Sequence, residues 1–135
     1  MAIFDTLGKY RNTGLFLIRV GLGVMFIIHG FPKIAGGVKG WEGLGGSMKL
    51  IGVDFLPVFW GFMAAATETF GGFLLIVGLF FRPACLLLLF TMIIAALVHF
   101  SKGDGLGGAS HAIELGIVFI GLTFIGPGKY SVDKK

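Results

Sequence analysis

The 135 residues are 56% hydrophobic and 13% charged, with a mean hydropathy of +0.94 and a formal net charge of +4. This is too apolar for an ordinary soluble domain, and the basic residues stand singly between apolar runs instead of forming a patch, which excludes nucleic acid as a partner and marks them as topology signals. A single cysteine, Cys85, excludes an internal disulfide, a CxxC redox pair and a cysteine zinc cluster, so redox chemistry has to come from something bound.

Taken in order, residues 1–12 are short and mixed, with Lys9 and Arg11 just before the first apolar run, Gly14 to Phe31. Such a flank also describes a cleaved leader, but Arg19 interrupts the run and no A-x-A site follows, so a retained helix over about 13–31 is expected. Helical spacing puts Arg19, Gly23, Phe26 or Ile27, and Gly30 on one face, a charge beside glycines and towards a partner helix. Pro32 to Asp54 holds seven glycines and Trp41, which reads as an ordered, Gly-rich extracytoplasmic loop at headgroup level with about one helical turn.

Leu56 to Phe81 carries one ionisable group, Glu68, in 26 residues. As a helix it reaches ~39 Å, enough to cross ~30 Å of hydrocarbon with some tilt. Gly61, Ala64, Ala65, Glu68, Gly71 and Gly72 recur at three- and four-residue steps, so the carboxylate stands in a stripe of small residues that should face protein. Arg82 and Pro83 make a very short connection to a third run, about 84–100, and Pro83 suits its first turn. The fourth run, about 107–126, holds Glu114 and is stopped by Gly126, Pro127 and Gly128. The expected architecture is an all-α, antiparallel four-transmembrane-helix bundle forming one membrane domain over 1–135. Lys9, Arg11, Arg82, Lys129, Lys134 and Lys135 on the terminal side outnumber Lys33, Lys39, Lys49 and Lys102, a bias for both termini in the cytoplasm.

An intramembrane charge is expensive, ~2.5 kcal/mol or more, so each has to be paired, protonated or functional. Counting down from Gly30 and Leu56 puts Arg19 ~16 Å and Glu68 ~18 Å deep, which predicts an Arg19–Glu68 ion pair that either serves a ligand or fixes helix register. Nearer the outer face, His29 and Lys33 end the first helix, His99 ends the third, and His111 and Glu114 begin the fourth. This set reads as a proton relay, an anion site or a metal site, or else as interfacial residues bonded to water and loop backbone. No HxxxH or HExxH spacing occurs, so no dedicated metal site is expected. A quinone among the fifteen phenylalanines and five methionines would need a polar anchor, which Glu68 or His99 supplies.

Gly21 to Gly37, Glu68 to Ala84, the Met92 to His99 helix end and Glu114 to Asp133 carry H-G-x-x-K, E-x-x-G-G-x-x-L-x-x-G-L and G-P-G-x-x-S-x-D in order. Over nearly the whole chain this resembles the DoxX family of four-helix bacterial membrane proteins. The resemblance matches His29, Lys33, Glu68, Gly72, Arg82 and Glu114 to the family's recurring positions, with Gly30, Gly71 and the Gly126–Gly128 turn as structural companions. It implies a place in the bacterial cytoplasmic (inner) membrane and association with membrane redox systems, such as a thiosulfate:quinone oxidoreductase subunit or a complex joining a superoxide dismutase to a sulfurtransferase. With no appended soluble domain in the sequence, the expectation is a subunit and not a self-contained thiosulfate oxidase. The leading expectation is therefore a redox subunit that binds a quinone or small sulfur-containing anion between its helices, in a pocket lined by Arg19, Glu68 and the outer-face histidines. The alternatives are a non-enzymatic adaptor for soluble redox enzymes or other membrane subunits, and a small-solute or proton-coupled transporter subunit, which as four helices would need to assemble as a homo-oligomer.

Overall fold

A computed structural model describes residues 2–134, and Met1 and Lys135, the latter counted in the topology bias above, lie outside them. Among the described residues the chain is all helix and turn. A short α1 (Ala2–Asp5) and a 3-10 turn (Thr6–Tyr10) lead into α2 (Arg11–Ala35), followed by α3 (Gly37–Gly45), a second 3-10 segment (Gly46–Ile51), α4 (Pro57–Val77), α5 (Phe81–Ser101) and α6 (Gly105–Ile125). The region from Ala2 to Ala35, and α4, α5 and α6, are each long and apolar enough to cross a membrane. The protein is thus an all-α, multi-pass membrane bundle, with one end carrying both chain termini and the other carrying α3.

The helix limits differ from the expected spans for local reasons. Pro32 lies inside α2 without ending it, so the helix continues to Ala35. The central run breaks at Gly78, whose φ of 69° is the left-handed conformation open to glycine, and Phe81 already belongs to α5. The expected loop with one turn is instead the nine-residue α3 plus the 3-10 segment. Its glycines do not prevent a helix, and one of them, Gly45, is contact surface for α4. At Gly45 a Cβ would strike Pro57 of α4, and at Gly61 of α4 a Cβ would strike Trp41, so the two backbones lie against each other only without side chains there.

The helices pack as two close pairs, α2 with α4 and α5 with α6. Gly23 and Gly72 face each other across the first pair so closely that a Cβ on either would meet the other's carbonyl, and Gly30 sits on Glu68 and Thr69. Between the pairs lies a core of Leu15, Phe26, Leu75, Phe81, Leu88, Met92 and Phe119, with the Phe26 and Phe119 rings 5.4 Å apart. Cys85 is a free thiol buried in the same cluster, a packing residue.

Candidate functional site in the α4–α5 cleft

Arg19 and Glu68 do not meet. Gly30 lies beside Glu68 on α4 whereas Arg19 lies beside Gly78, ten residues on and ~15 Å away along the helix. Taking Gly30 and Leu56 as level is what misled the depth count, because α3 takes up the line of α2 and packs on the first turns of α4. Arg19 is instead buried at the terminal end, where it donates to the carbonyls of Leu75, Ile76 and Tyr130. Two of these are carbonyls left over at the C-terminus of α4, where a cation is favoured.

The tail after α6 is built into the same structure. Backbone N–H groups of Val132 and Asp133 donate to the carbonyls of Val77 and Gly78 at 3.0 Å. The Asp133 carboxylate then accepts from Phe80 N at 3.2 Å and Phe81 N at 2.8 Å, satisfying free donors at the start of α5. Ser131 Oγ donates to Gly128 O, and Arg82 Nε donates to Thr123 O at 2.9 Å near the end of α6. Gly126 and Pro127 are buried, and Gly126 and Gly128 take positive φ to turn the chain back. The G-P-G-x-x-S-x-D signature is therefore architectural.

The partner of Glu68 is Lys33. One turn beyond Gly30, the Lys33 ammonium stands 2.9 Å from both carboxylate oxygens, with the Glu68 side chain 6% exposed and the Lys33 side chain 40% exposed. Gly30 lets α2 approach closely enough for this reach. Trp41 Nε1 donates to Lys33 O at 3.1 Å and its ring packs on Phe62, so α3 holds the end of α2 in place.

Lys33 and Glu68 form the polar end of a cavity of about 440 Å³ between α4 and α5, covered by the end of α3 and the following 3-10 segment. Its walls are mostly apolar, including Met63, Leu87, Phe90 and Ile94. His99 also lines it and is oriented by Asp104, with Nδ1 2.9 Å from Oδ2. Trp60 is a wall residue whose buried indole N–H has no acceptor among the described residues.

The remaining histidines stay apart from this cavity. His29 is exposed on α2, and His111 and Glu114 are exposed on α6, so neither the expected three-imidazole mouth nor an Arg19 wall forms. Helix phase explains it: His29 precedes the inward-facing Gly30, while His111 and Glu114 fall off the Ala109–Ala112–Gly116–Phe119 face. Gly71 faces Leu88 of α5 and is packing. Sequence reasoning missed Trp60, Asp104 and the Asp133 cap. An aspartate five residues after a helix-ending histidine, in a glycine turn, was the available signal for Asp104, and nothing distinguished Trp60 from an interfacial aromatic.

These features define a four-helix, multi-pass membrane protein in which a buried carboxylate, paired with a partly exposed ammonium, closes an apolar cleft. The chain belongs to the DoxX family, whose model matches residues 14–100. It is 29% identical over 127 residues to CatD of Bacillus subtilis (strain 168), a protein named provisionally as an oxidoreductase, covering 94% of this chain and 90% of that one. It is 26% identical over 136 residues to the inner membrane protein YphA of Escherichia coli (strain K12), covering 95% and 94%, and 29% identical over 129 residues to the inner membrane protein YqjF of the same organism, covering 93% and 94%. No solved structure matches the chain.

Proposed function

We propose that this protein is a subunit of a redox system in the bacterial inner membrane, with both termini cytoplasmic, and that it binds a quinone in the α4–α5 cleft. The carrying observation is the cleft itself, an apolar slot that ends on the Lys33–Glu68 pair. Its size lies within the ~300–1,000 Å³ typical of small-molecule sites. The mostly apolar walls suit a quinone ring and offer a small sulfur anion few groups to replace its hydration. The donors present suit carbonyl oxygens. An ammonium has three N–H groups, so Lys33 keeps one beyond the two directed at Glu68, and the Trp60 indole N–H is a further donor in the wall.

In this reading Lys33 orients one quinone oxygen, and Glu68, which accepts from Lys33 through both carboxylate oxygens, holds the ammonium in place. Asp104 keeps the His99 ring turned, leaving Nε2 available for proton exchange at the cavity's other end. The quinone supplies the redox chemistry, and the electrons come from a partner's centre, because the chain's own side chains carry none. The relative named as an oxidoreductase supports the same class of system.

The test is a titration of the detergent-solubilised protein with a short-chain naphthoquinone, read by quenching of Trp60 and Trp41. Saturable quenching is expected, weakened at least tenfold in Lys33→Met and in the cleft-filling Ala64→Phe. Absence of saturation, or an affinity in both variants equal to that of the parent, sinks the proposal. An adaptor that only positions soluble enzymes is distinguished by Glu68→Gln, which under the quinone reading abolishes turnover by the assembled system while leaving partner co-purification intact.

A further inference from the structure

Glu114 lies nine residues after Gly105 and eleven before Ile125, ~14 Å and ~17 Å from the two ends of α6. It is exposed, and among the described residues it has no hydrogen-bond or ion-pair partner. α6 buries Ala109, Ala112, Gly116, Phe119 and Leu122 against the bundle, and Glu114 stands on the opposite side. Gly107 and Gly121, seven residues before and after it, share that outward line, and a Cβ at either would meet nothing within 4 Å. His111, one turn before Glu114, is exposed at the edge of the same face.

A carboxylate looking outward from the middle of an apolar span is costly against acyl chains, so this face requires cover that can hydrogen-bond it. We propose that the cover is a second copy of the chain, packed α6 to α6, with Glu114 of each copy bonded to His111 of the other. Copies sharing one membrane orientation are related by a two-fold axis along the membrane normal, so their α6 helices run parallel and equal levels face each other. An acid and an imidazole one turn apart then make the surface complementary to itself, which an isologous contact demands. Glycines above and below Glu114 allow the helices close approach at both ends. The cleft has no α6 residue in its lining, so the dimer leaves it free, and this inference stands apart from quinone binding.

Cys85, the one cysteine, is buried, which makes disulfide trapping clean. In a Cys85→Ala background, Gly121→Cys and, as a control, Phe73→Cys at an exposed site on α4 are oxidised in native membranes. The expected result is a product of twice the chain mass for Gly121→Cys, at least fivefold more than for Phe73→Cys. Adding Glu114→Leu or His111→Ala, each at an unchanged membrane level of protein, should lower the yield at least threefold. Equal yields at the two cysteine sites, a product containing a different protein, or a yield insensitive to both substitutions overturns the proposal.

Discussion

The Arg19 guanidinium, wholly buried in the first half of α2, donates to the backbone carbonyl of Tyr130, 111 residues further along the chain. It also holds the last carbonyls of α4, and the tail it grips carries Asp133 back to the start of α5. One cation thereby ties α2, α4 and the C-terminal tail together at the terminal end, while the Lys33–Glu68 pair closes α2 on α4 nearer the other.

Replacing Arg19 by alanine strips three carbonyls of a buried donor, and charged hydrogen bonds of this kind are worth ~1.5–3 kcal/mol each in context, not additively. A loss of about 3 kcal/mol is expected for Arg19→Ala, with Arg19→Lys recovering part of it. Thermal unfolding in detergent measures this, and an Arg19→Ala protein as stable as the parent contradicts the clasp.

Asp133→Ala removes a cap from α5, at a cost of about 1 kcal/mol, and loosens the tail. The more sensitive readout is proteolysis. Trypsin should cut after Lys129 several times faster in Asp133→Ala than in the parent, while sites elsewhere keep their rates.

Lys33→Met leaves the Glu68 carboxylate buried without its cation, which costs less than the ~3–5 kcal/mol of a fully buried pair because Lys33 is partly exposed, whereas Lys33→Met with Glu68→Leu removes both charges and should regain most of the loss. Stability and ligand binding should therefore part company in the double variant, which unfolds near the parent temperature yet binds no quinone. A double variant no more stable than Lys33→Met alone is inconsistent with a simple ion pair.

Two glycines of α2 provide a matched comparison. A Cβ at Gly23 would collide with the Gly72 carbonyl, while one at Gly21 meets nothing within 4 Å. Gly23→Ala should destabilise by about 2 kcal/mol through overpacking. Gly21→Ala should instead be neutral or stabilising by up to about 1 kcal/mol, from helix propensity. Unfolding temperatures of the two, compared side by side, decide it.

Run length and hydropathy alone determined that the chain crosses a membrane as four helices, because an apolar stretch of about twenty residues has few other places to go. The small-residue face of α4 around Glu68, and the glycines of α2, were equally legible from helical spacing. Partner choice was not. Whether Glu68 meets Arg19 or Lys33 depends on how far α4 is offset along α2, and that offset comes from α3 packing onto α4 through Gly45 and Gly61, a contact between segments no local pattern connects. The same holds for the histidines: a position one residue off the core face turns His29 outward while His99 reaches the cleft. Periodicity says which residues share a face of one helix, but only the packed bundle decides what each face is turned towards.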